Sequence, residues 1–350
     1  MSHLKGVIEI VFKEVGQGDS IILRWHDQKD KKEKFGLIDC KLKEQNRNPA
    51  LKHLKALGVD RFEFIILSHP HYDHYSGLKN IFEFSEQNGI YINNFLHTSR
   101  ADLQYAVDSV KTYKAQNELT QLFLKARELR DTGLIKHFSY IDIDRQDLDL
   151  NDEISIRFLS PSTAEDEKFL QRQKTQSNEE NDNNKPYANW LSSVLKIYSK
   201  DWYILLTSDA ERNVLKKLGI DYPHEFKEKI IIGQAPHHGA YNNHYPAFWK
   251  KRINNDNNVP IIFSVGLNSN NHPSAKVIEN FQTLNCKIYA TNKVGPLSGM
   301  TDEEIINVTE TEVMLDTISE NVYKEAQNIT QFEGDKKFQI DRDGKVSLIG

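Results

Sequence analysis

Cysteine is scarce in this chain. Cys40 and Cys286 are the only two among 350 residues and they form no CxxC spacing, so a disulfide-built scaffold is not expected and both read as packing residues. Long apolar runs are missing as well. None approaches the roughly 18 residues of a membrane span, and no apolar stretch follows the Met1-Ser2-His3-Leu4-Lys5 start. The expectation is a cytoplasmic protein with no export signal and no membrane anchor. A surplus of basic charge is also absent. Lys and Arg number 45 against 50 Asp and Glu, a net charge of −5, which argues against broad, nonspecific affinity for nucleic acid because phosphate contacts need clustered cations. Local basic patches remain at Lys52 with Lys55, from Lys111 to Arg130, and at Lys250-Lys251-Arg252. Solvated helix faces are the plainer reading of each. No internal repeat of fixed period is present, and 350 residues suffice for one large domain with a sizeable core.

What the chain does have is histidine gathered in one place. Residues 69 to 74 read His-Pro-His-Tyr-Asp-His, directly after Phe62-Glu63-Phe64-Ile65-Ile66-Leu67-Ser68, an apolar run of the kind that forms a buried strand. His69 and His71, two apart on the loop that follows, can point the same way and grip one divalent ion. Asp73 and His74, at the start of a helix, project to the other side of the same pocket and can grip a second. Imidazole with carboxylate suits zinc, manganese or iron better than calcium or magnesium. Two such ions about 3.5 to 4 Å apart can share a bridging hydroxide at neutral pH and clamp both the attacked and the leaving oxygen of an ester.

Six adjacent residues cannot surround two ions, so further ligands must come from later strands. Trp202-Tyr203-Ile204-Leu205-Leu206-Thr207-Ser208-Asp209 is an apolar run ending in a carboxylate suited to bridging. Ile230-Ile231-Ile232-Gly233-Gln234-Ala235-Pro236 ends in His237-His238-Gly239, and Ile261-Ile262-Phe263-Ser264-Val265-Gly266 runs through an asparagine-rich loop to His272-Pro273. One aspartate after a strand is commonly a cap or turn residue. Four candidates in the same relation to a strand are hard to explain by capping. Nearer the amino terminus, Asp19 lies in the glycine-bracketed turn Gly16-Gln17-Gly18-Asp19, and Asp39 ends the strand Phe35-Gly36-Leu37-Ile38. Both are read as supports that hydrogen-bond the histidine loop rather than bind metal, with turn chemistry as the competing explanation.

Strand-like and helical segments alternate along the chain, which fits an α/β four-layer αββα sandwich of two mixed β-sheets with helical insertions. Pro49 to Leu57 and Gly77 to Glu86 read as helices. Residues 101–131 have apolar positions at helical spacing and read as an inserted helical hairpin. Residues 163–186, polar and without periodicity, read as a mobile loop that could gate the site. Residues 300–330 read as an acidic helical insertion. Lys337-Phe338-Gln339-Ile340 and Lys345-Val346-Ser347-Leu348 flank Asp341-Arg342-Asp343-Gly344, a hairpin signal.

The His69 to His74 motif resembles the metallo-β-lactamase superfamily, whose signature is His-x-His-x-Asp-His. Val15-Gly16-Gln17-Gly18-Asp19-Ser20, Leu37-Ile38-Asp39, Thr207-Ser208-Asp209, Pro236-His237-His238-Gly239 and Ser264-Val265-Gly266 with His272-Pro273 resemble, more narrowly, the hydrolase domain of the ComEC competence-channel proteins and its free-standing relatives. That resemblance spans about residues 7 to 295. It implies His69, His71, Asp73 and His74 as the first ligand set, Asp209 as the bridging carboxylate, and His272 as the last ligand of the second metal. Of His237 and His238, one is expected to face the metals or the scissile group and the other to donate a proton to the leaving oxygen. Many superfamily members carry a histidine where this chain has Asn189, which leaves the first metal a ligand short, argues against tight zinc occupancy and favours manganese.

The activity so implied is that of a dinuclear metal-dependent phosphodiesterase, a nuclease of DNA or RNA. Two divalent ions, zinc or manganese, serve as cofactors, and Asp73, His237 and His238 take part in the chemistry directly. The metal pair does not by itself choose between phosphorus and carbonyl. A hydrolase of carbonyl esters, thioesters or lactones is therefore the alternative, as is a partner-dependent component of a bacterial defence or DNA-processing system that docks through the insertions.

Overall fold

The computed structural model describes residues 8–43, 47–99, 113–176, 188–253, 258–298 and 334–349. Two mixed β-sheets lie face to face with helices outside, so the chain is an α/β four-layer sandwich. The first sheet contains β1 (Ile8–Phe12), β2 (Ile21–Asp27), β3 (Lys32–Ile38), β4 (Arg61–Phe62), β5 (Phe64–Leu67), β6 (Tyr91–His97), β7 (Ile135–Tyr140), β15 (Lys336–Ile340) and β16 (Val346–Leu348), in the order β16-β15-β1-β2-β3-β5-β6 with β4 and β7 flanking β6. The second contains β8 (Leu148–Asp149), β9 (Ser155–Phe158), β10 (Leu195–Tyr198), β11 (Trp202–Leu206), β12 (Lys229–Gln234), β13 (Pro260–Phe263) and β14 (Lys287–Ala290), in the order β14-β13-β12-β11-β10-β9-β8.

The inner faces of both sheets bury Ile10, Trp25, Phe64, Ile156, Ile204 and Ile232 in one core. Trp25 stacks on Phe64 with ring centroids 6.0 Å apart. Gly36 makes room for that aromatic layer, since a Cβ there would lie 2.1 Å from Phe64 Cζ. Each such buried side chain contributes about 1.5 to 3 kcal/mol. Helices α1 (Pro49–Leu57), α3 (Leu78–Asn88), which follows the single turn α2 (Tyr72–Tyr75), and α4 (Tyr113–Asp131) bury Leu54, Phe82 and Phe123 against the outer face of the first sheet. On the second sheet, α6 (Arg212–Asp221), α7 (Pro246–Arg252) and α8 (Ala275–Gln282) do the same with Leu215, Trp249 and Phe281.

Local chemistry sets the element boundaries. Asn48 caps α1 by accepting from Leu51 N at 2.9 Å, Pro49 occupies its first turn, and Gly58 closes it in the left-handed region. The carboxyl-terminal hairpin forms where its turn residues predict: Asp341 Oδ1 accepts from Asp343 N and Lys345 N, and β15 adds to the edge of β1.

Polar composition predicts a loop over 163–186, but its first part is a helix, α5 (Thr163–Gln176). Glu165 caps its amino end by half of a capping box, Ser162 N donating to the Glu165 carboxylate at 2.6 Å, while Glu165 N donates to the Ser162 backbone carbonyl and the Ser162 hydroxyl accepts from Lys217 Nζ. Phe169, 3% exposed, anchors the helix to the body of the protein. Residues 177–186, the first half of the 101–131 segment and the 300–330 segment lie outside the described residues. Among the described residues no helix is long and apolar enough to cross a membrane.

Two buried histidines outside the groups of potential metal ligands couple this fold to pH. His97 sits among Phe95, Phe123 and Phe138 and accepts from Ser99 N on Nδ1. Burial pulls it from an ordinary 6.5 down to about 3, and burial pulls His244, packed on Phe281, down to about 4. The unfolded chain therefore takes up protons below pH 6.5 that the folded chain refuses, so this stability is complete above pH 6.5 and falls as pH drops. In urea titrations of metal-free protein, His97→Phe should flatten the loss between pH 6 and 4.5 by about 1.4 kcal/mol per pH unit relative to wild type. Parallel curves for the two proteins would contradict this.

Candidate metal centre

β1, β3 and β5 point the same way in the first sheet, as do β11, β12 and β13 in the second, so their carboxyl ends share one rim. The loops leaving them are tied together through the backbone. Asp19 N donates to Asp73 O at 3.1 Å, Cys40 N to His74 O at 2.7 Å, Ser193 N to Ser68 O at 3.0 Å and His237 N to Ser208 O at 2.8 Å. Four non-glycine residues on this rim have positive φ: Asp39 (56°), Ser208 (45°), His237 (48°) and His238 (56°). Such conformations cost about 1 to 3 kcal/mol each and survive only where surrounding contacts enforce them. Gly18 is required for a different reason. Its φ is +139°, and a Cβ there would lie 2.4 Å from Asp73 O.

Asp209 is the centre of the arrangement. Its Oδ2 lies 3.6 Å from His69 Nε2 and 3.4 Å from His237 Nε2, while its Oδ1 lies 3.5 Å from His74 Nε2 and 3.4 Å from His238 Nε2. His71 Nδ1 faces His69 Nε2 at 3.1 Å. Asp73 reaches His238 Nε2 at 3.4 Å and His74 Nε2 at 3.9 Å. Two groups of mutually close ligand atoms share Asp209, His69, His71 and Asp209 in one and Asp73, His74, Asp209 and His238 in the other, while a third, Asp19, Asp39 and His74, lies on the far side of the His74 ring. The two that share Asp209 fit a divalent cation of the transition series, which takes imidazole and carboxylate together.

Hydrogen bonds fix which ring nitrogens face inward. His74 Nδ1 donates to Asp39 Oδ2 at 2.7 Å, and His238 Nδ1 donates to Ser264 O at 2.8 Å. Each ring therefore turns its Nε2 to the centre. Asp39 also accepts from Ser68 N at 2.8 Å and Ser68 Oγ at 2.6 Å. Ser208 Oγ donates to Ser68 Oγ, and His69 Nδ1 lies against both hydroxyls at 3.2 and 3.3 Å. The inward atoms His74 Nε2, His238 Nε2 and Asp209 Oδ1 are buried and have no hydrogen-bond partner. Three orphaned buried atoms converging on one point are what a ligand set without its ion looks like, because such groups are otherwise satisfied.

Charge follows the same geometry. Burial alone would raise Asp209 and Asp73, yet His238, His237 and His74 hold Asp209 well below the usual carboxylate range, and His74 and His238 hold Asp73 below it. In return, and against burial, Asp39, Asp209 and Asp73 raise His74 well above its ordinary value, and Asp209 leads the groups that push His238 up to about 9. Burial lowers His69 and His71. Protons on His74 and His238 balance the carboxylates here, and a cation at the same point would displace them.

Asp19 and Asp39 both lie against His74 Nδ1. Asp19 Oδ2 lies 3.8 Å from its Nδ1 and accepts from Gln234 Nε2 at 3.0 Å. Asn189 is buried with Nδ2 3.4 Å from His237 Nδ1. His272 stands apart from both groups of ligand atoms, its ring 5.3 Å from that of His237. His238 joins the group with Asp73, His74 and Asp209, because the left-handed backbone at 237 and 238 sends the two adjacent side chains to opposite oxygens of Asp209.

Gln234 was missed by sequence reasoning. It accepts from Thr207 N and Ser208 N while holding Asp19, and so ties the bridging carboxylate's turn to the first sheet. A lone amide at the end of an otherwise apolar strand was its signal.

No protein-family model matches this chain and no curated protein matches it in sequence. Among solved structures it is similar to the metallo-beta-lactamase fold protein YhfI from Bacillus subtilis, with 12% sequence identity over 81% of this chain and 96% of that one and a TM-score of 0.43. It is also similar to unliganded yeast PDE1, at 12% identity over 81% and 97% with a TM-score of 0.44, and to a long form RNase Z from yeast, at 13% identity over 77% and 38% with a TM-score of 0.42. Likeness at these levels carries no reaction with it.

The geometry makes a stoichiometric prediction. Metal-stripped protein titrated with zinc or manganese should bind two ions, His238→Ala one, and His272→Ala still two, read by calorimetry or elemental analysis. One ion in His272→Ala with two in His238→Ala would reverse the assignment.

Proposed function

We propose that this protein is a dinuclear metal-dependent phosphodiesterase, a nuclease of DNA or RNA from the ComEC-like branch. The observation that carries the reading is the division of Asp209, one oxygen turned to His69 and His237 and the other to His74 and His238. In this reading His69, His71 and His237 would hold one ion and Asp73, His74 and His238 the other, with Asp209 offering an oxygen to each; zinc and manganese suit the donors. Two divalent ions so held would make water nucleophilic at neutral pH and neutralise charge on phosphate oxygens. A phosphodiester, with charge spread over two non-bridging oxygens, matches that clamp better than a neutral carbonyl ester.

The chain's own residues do the rest. Asp39 keeps the proton of His74 on Nδ1 and, through Ser68, orients His69, so neither ring has to reorganise when substrate enters. His238, with a side chain 2% exposed, is committed to the interior, whereas His237 at 18% reaches the opening. His272, beside it, is lowered to about 4 by burial and by His237, and its neutral imidazole offers one N–H to the departing oxygen. The two cysteines are buried free thiols, which accords with a reducing, cytoplasmic setting. Any protein partner docking through the insertions would use segments that lie largely outside the described residues.

His71→Ala and Asp209→Asn should each lower turnover of bis-p-nitrophenyl phosphate and of single-stranded DNA or RNA by about a thousandfold or more, with far-UV circular dichroism unchanged. Hydrolysis of p-nitrophenyl acetate or lactones at higher efficiency than any phosphodiester would overturn the assignment.

A further inference from the structure

The single turn α2 serves more than the metal centre, because it has two sides. Asp73 and His74 turn toward His238 and Asp209. Tyr72 and Tyr75 turn away from them and line a cleft of about 350 Å3 between α2, α3 and α4. Tyr75 is its fixed wall, 2% exposed, with the hydroxyl donating to Ala115 O at 2.8 Å. Tyr72 meets that ring edge to face, with centroids 5.8 Å apart and 81° between the planes, yet stays 37% exposed. A large aromatic ring held by its neighbour and still open to solvent is a ready stacking surface, since little side-chain freedom is left to lose when a second ring lies on it.

The rest of the lining selects a neutral ligand with a hydrogen-bonding edge. Charge in the cleft cancels: Lys79 lies 3.8 Å from Glu83, and Glu118 lies 3.8 Å from Lys114. The other polar side chains are chiefly amides. Asn80 comes from α3, while Asn117 and Gln121 come from α4, four residues apart and so on one face of it. Each amide carries two N–H donors and one carbonyl acceptor, and among the described residues none of the three side chains makes a hydrogen bond. A phosphate would call for a surplus of cations, and a wholly apolar ligand would leave the amides without partners. A heteroaromatic base satisfies both conditions, being flat, uncharged and edged with donors and acceptors. The volume stands at the small end of ligand cavities, which run from about 300 to 1,000 Å3, and suits one nucleoside.

The cleft adjoins the metal centre through the chain itself. Tyr72 stands between His71, a member of one group of ligand atoms, and Asp73, a member of the other. Its Cα is therefore about 3.8 Å from the Cα of each, and a ring stacked on Tyr72 belongs to a nucleoside next to the phosphate at the metals. We propose that this cleft is a nucleobase-binding subsite, in which one base of the substrate stacks on Tyr72 and turns its edge to Asn80, Asn117 and Gln121. A base seated there has left its partner strand, so the substrate class is single-stranded nucleic acid. The place of that base beside the cleaved bond rests on the nuclease reading above; the binding of a nucleoside in the cleft does not.

Two measurements on the full chain separate these claims. In the metal-loaded protein, KM for a short abasic oligomer should exceed KM for the oligothymidylate of equal length about tenfold. Tyr72→Ala should bring that ratio close to one, Tyr72→Phe should keep it, and Asn117→Leu with Gln121→Leu, which leaves the stacking ring in place, should lower it about threefold. In the metal-stripped protein, adenosine or thymidine followed by calorimetry should bind wild type and bind Tyr72→Ala about tenfold more weakly. A ratio near one in wild type, a blunt duplex cleaved as efficiently as the single strand, or equal nucleoside binding by wild type and Tyr72→Ala would overturn the proposal. Absence of turnover on every diester would sink the nuclease reading instead. Nucleoside binding weakened in Tyr72→Ala would then still sustain the cleft as a base site.

Discussion

One buried carboxylate, Asp39, holds the centre together. It accepts from His74 Nδ1, from the Ser68 hydroxyl and from the Ser68 backbone, and Ser68 in turn meets Ser208 and His69. A single anion therefore sets the tautomer of one inner ring, the orientation of another, and the junction of the loops from both sheets. Its own place is set by a backbone bond from Asp39 N to Ile66 O at 2.8 Å, which continues the β3–β5 pairing by one residue. Because the bond lies at the end of that register, a slip of one residue would turn the whole histidine loop away.

The remainder of the site follows from placing charge where water is excluded. Asp19, Asp39, Asp209, His69, His74 and His238 are all buried. Removing so many ionisable groups from water is costly unless they pair or bind a cation. Their arrangement answers that cost by alternation: each carboxylate lies against an imidazole, and each inner imidazole has a second partner behind it. The loops carry this load because they leave strands whose interior faces are fully apolar, from Ile10 and Ile66 in one sheet to Ile204 and Ile262 in the other. A rigid double layer positions flexible-length loops, and the loops position the side chains.

Much of this was legible along the chain. The His69 to His74 loop after an apolar strand, the carboxylate at Asp209 and the histidine pair at 237 and 238 all follow β strands of the kind their neighbours predict. Asp19 and Asp39, each next to a strand, both lie against His74 Nδ1. Legibility failed in two ways. The loop reading of 163–176 gave polarity precedence over the half capping box that Ser162 and Glu165 spell out. The choice between His238 and His272 could not be made from order along the chain, since both follow strands of the same sheet and the left-handed backbone at 237 and 238 is invisible in residue types. Gln234 belongs with the second kind, because its partners Asp19 and Ser208 are distant in sequence.

Local patterning alone determined that apolar strands alternate with helices, that histidines and aspartates cluster at strand exits, and that the donor set suits a transition-metal ion, since these depend on side-chain chemistry and on spacing of a few residues. Only the packing of the two sheets and their helices decided which oxygen of Asp209 meets which imidazole, which histidine stays at the opening, and that Tyr72 shares a cleft with Asn117 and Gln121. Those choices turn on distances of a few ångströms between segments as distant along the chain as Ser68 and Ser208, and such distances exist only once the sheets have closed on their common core.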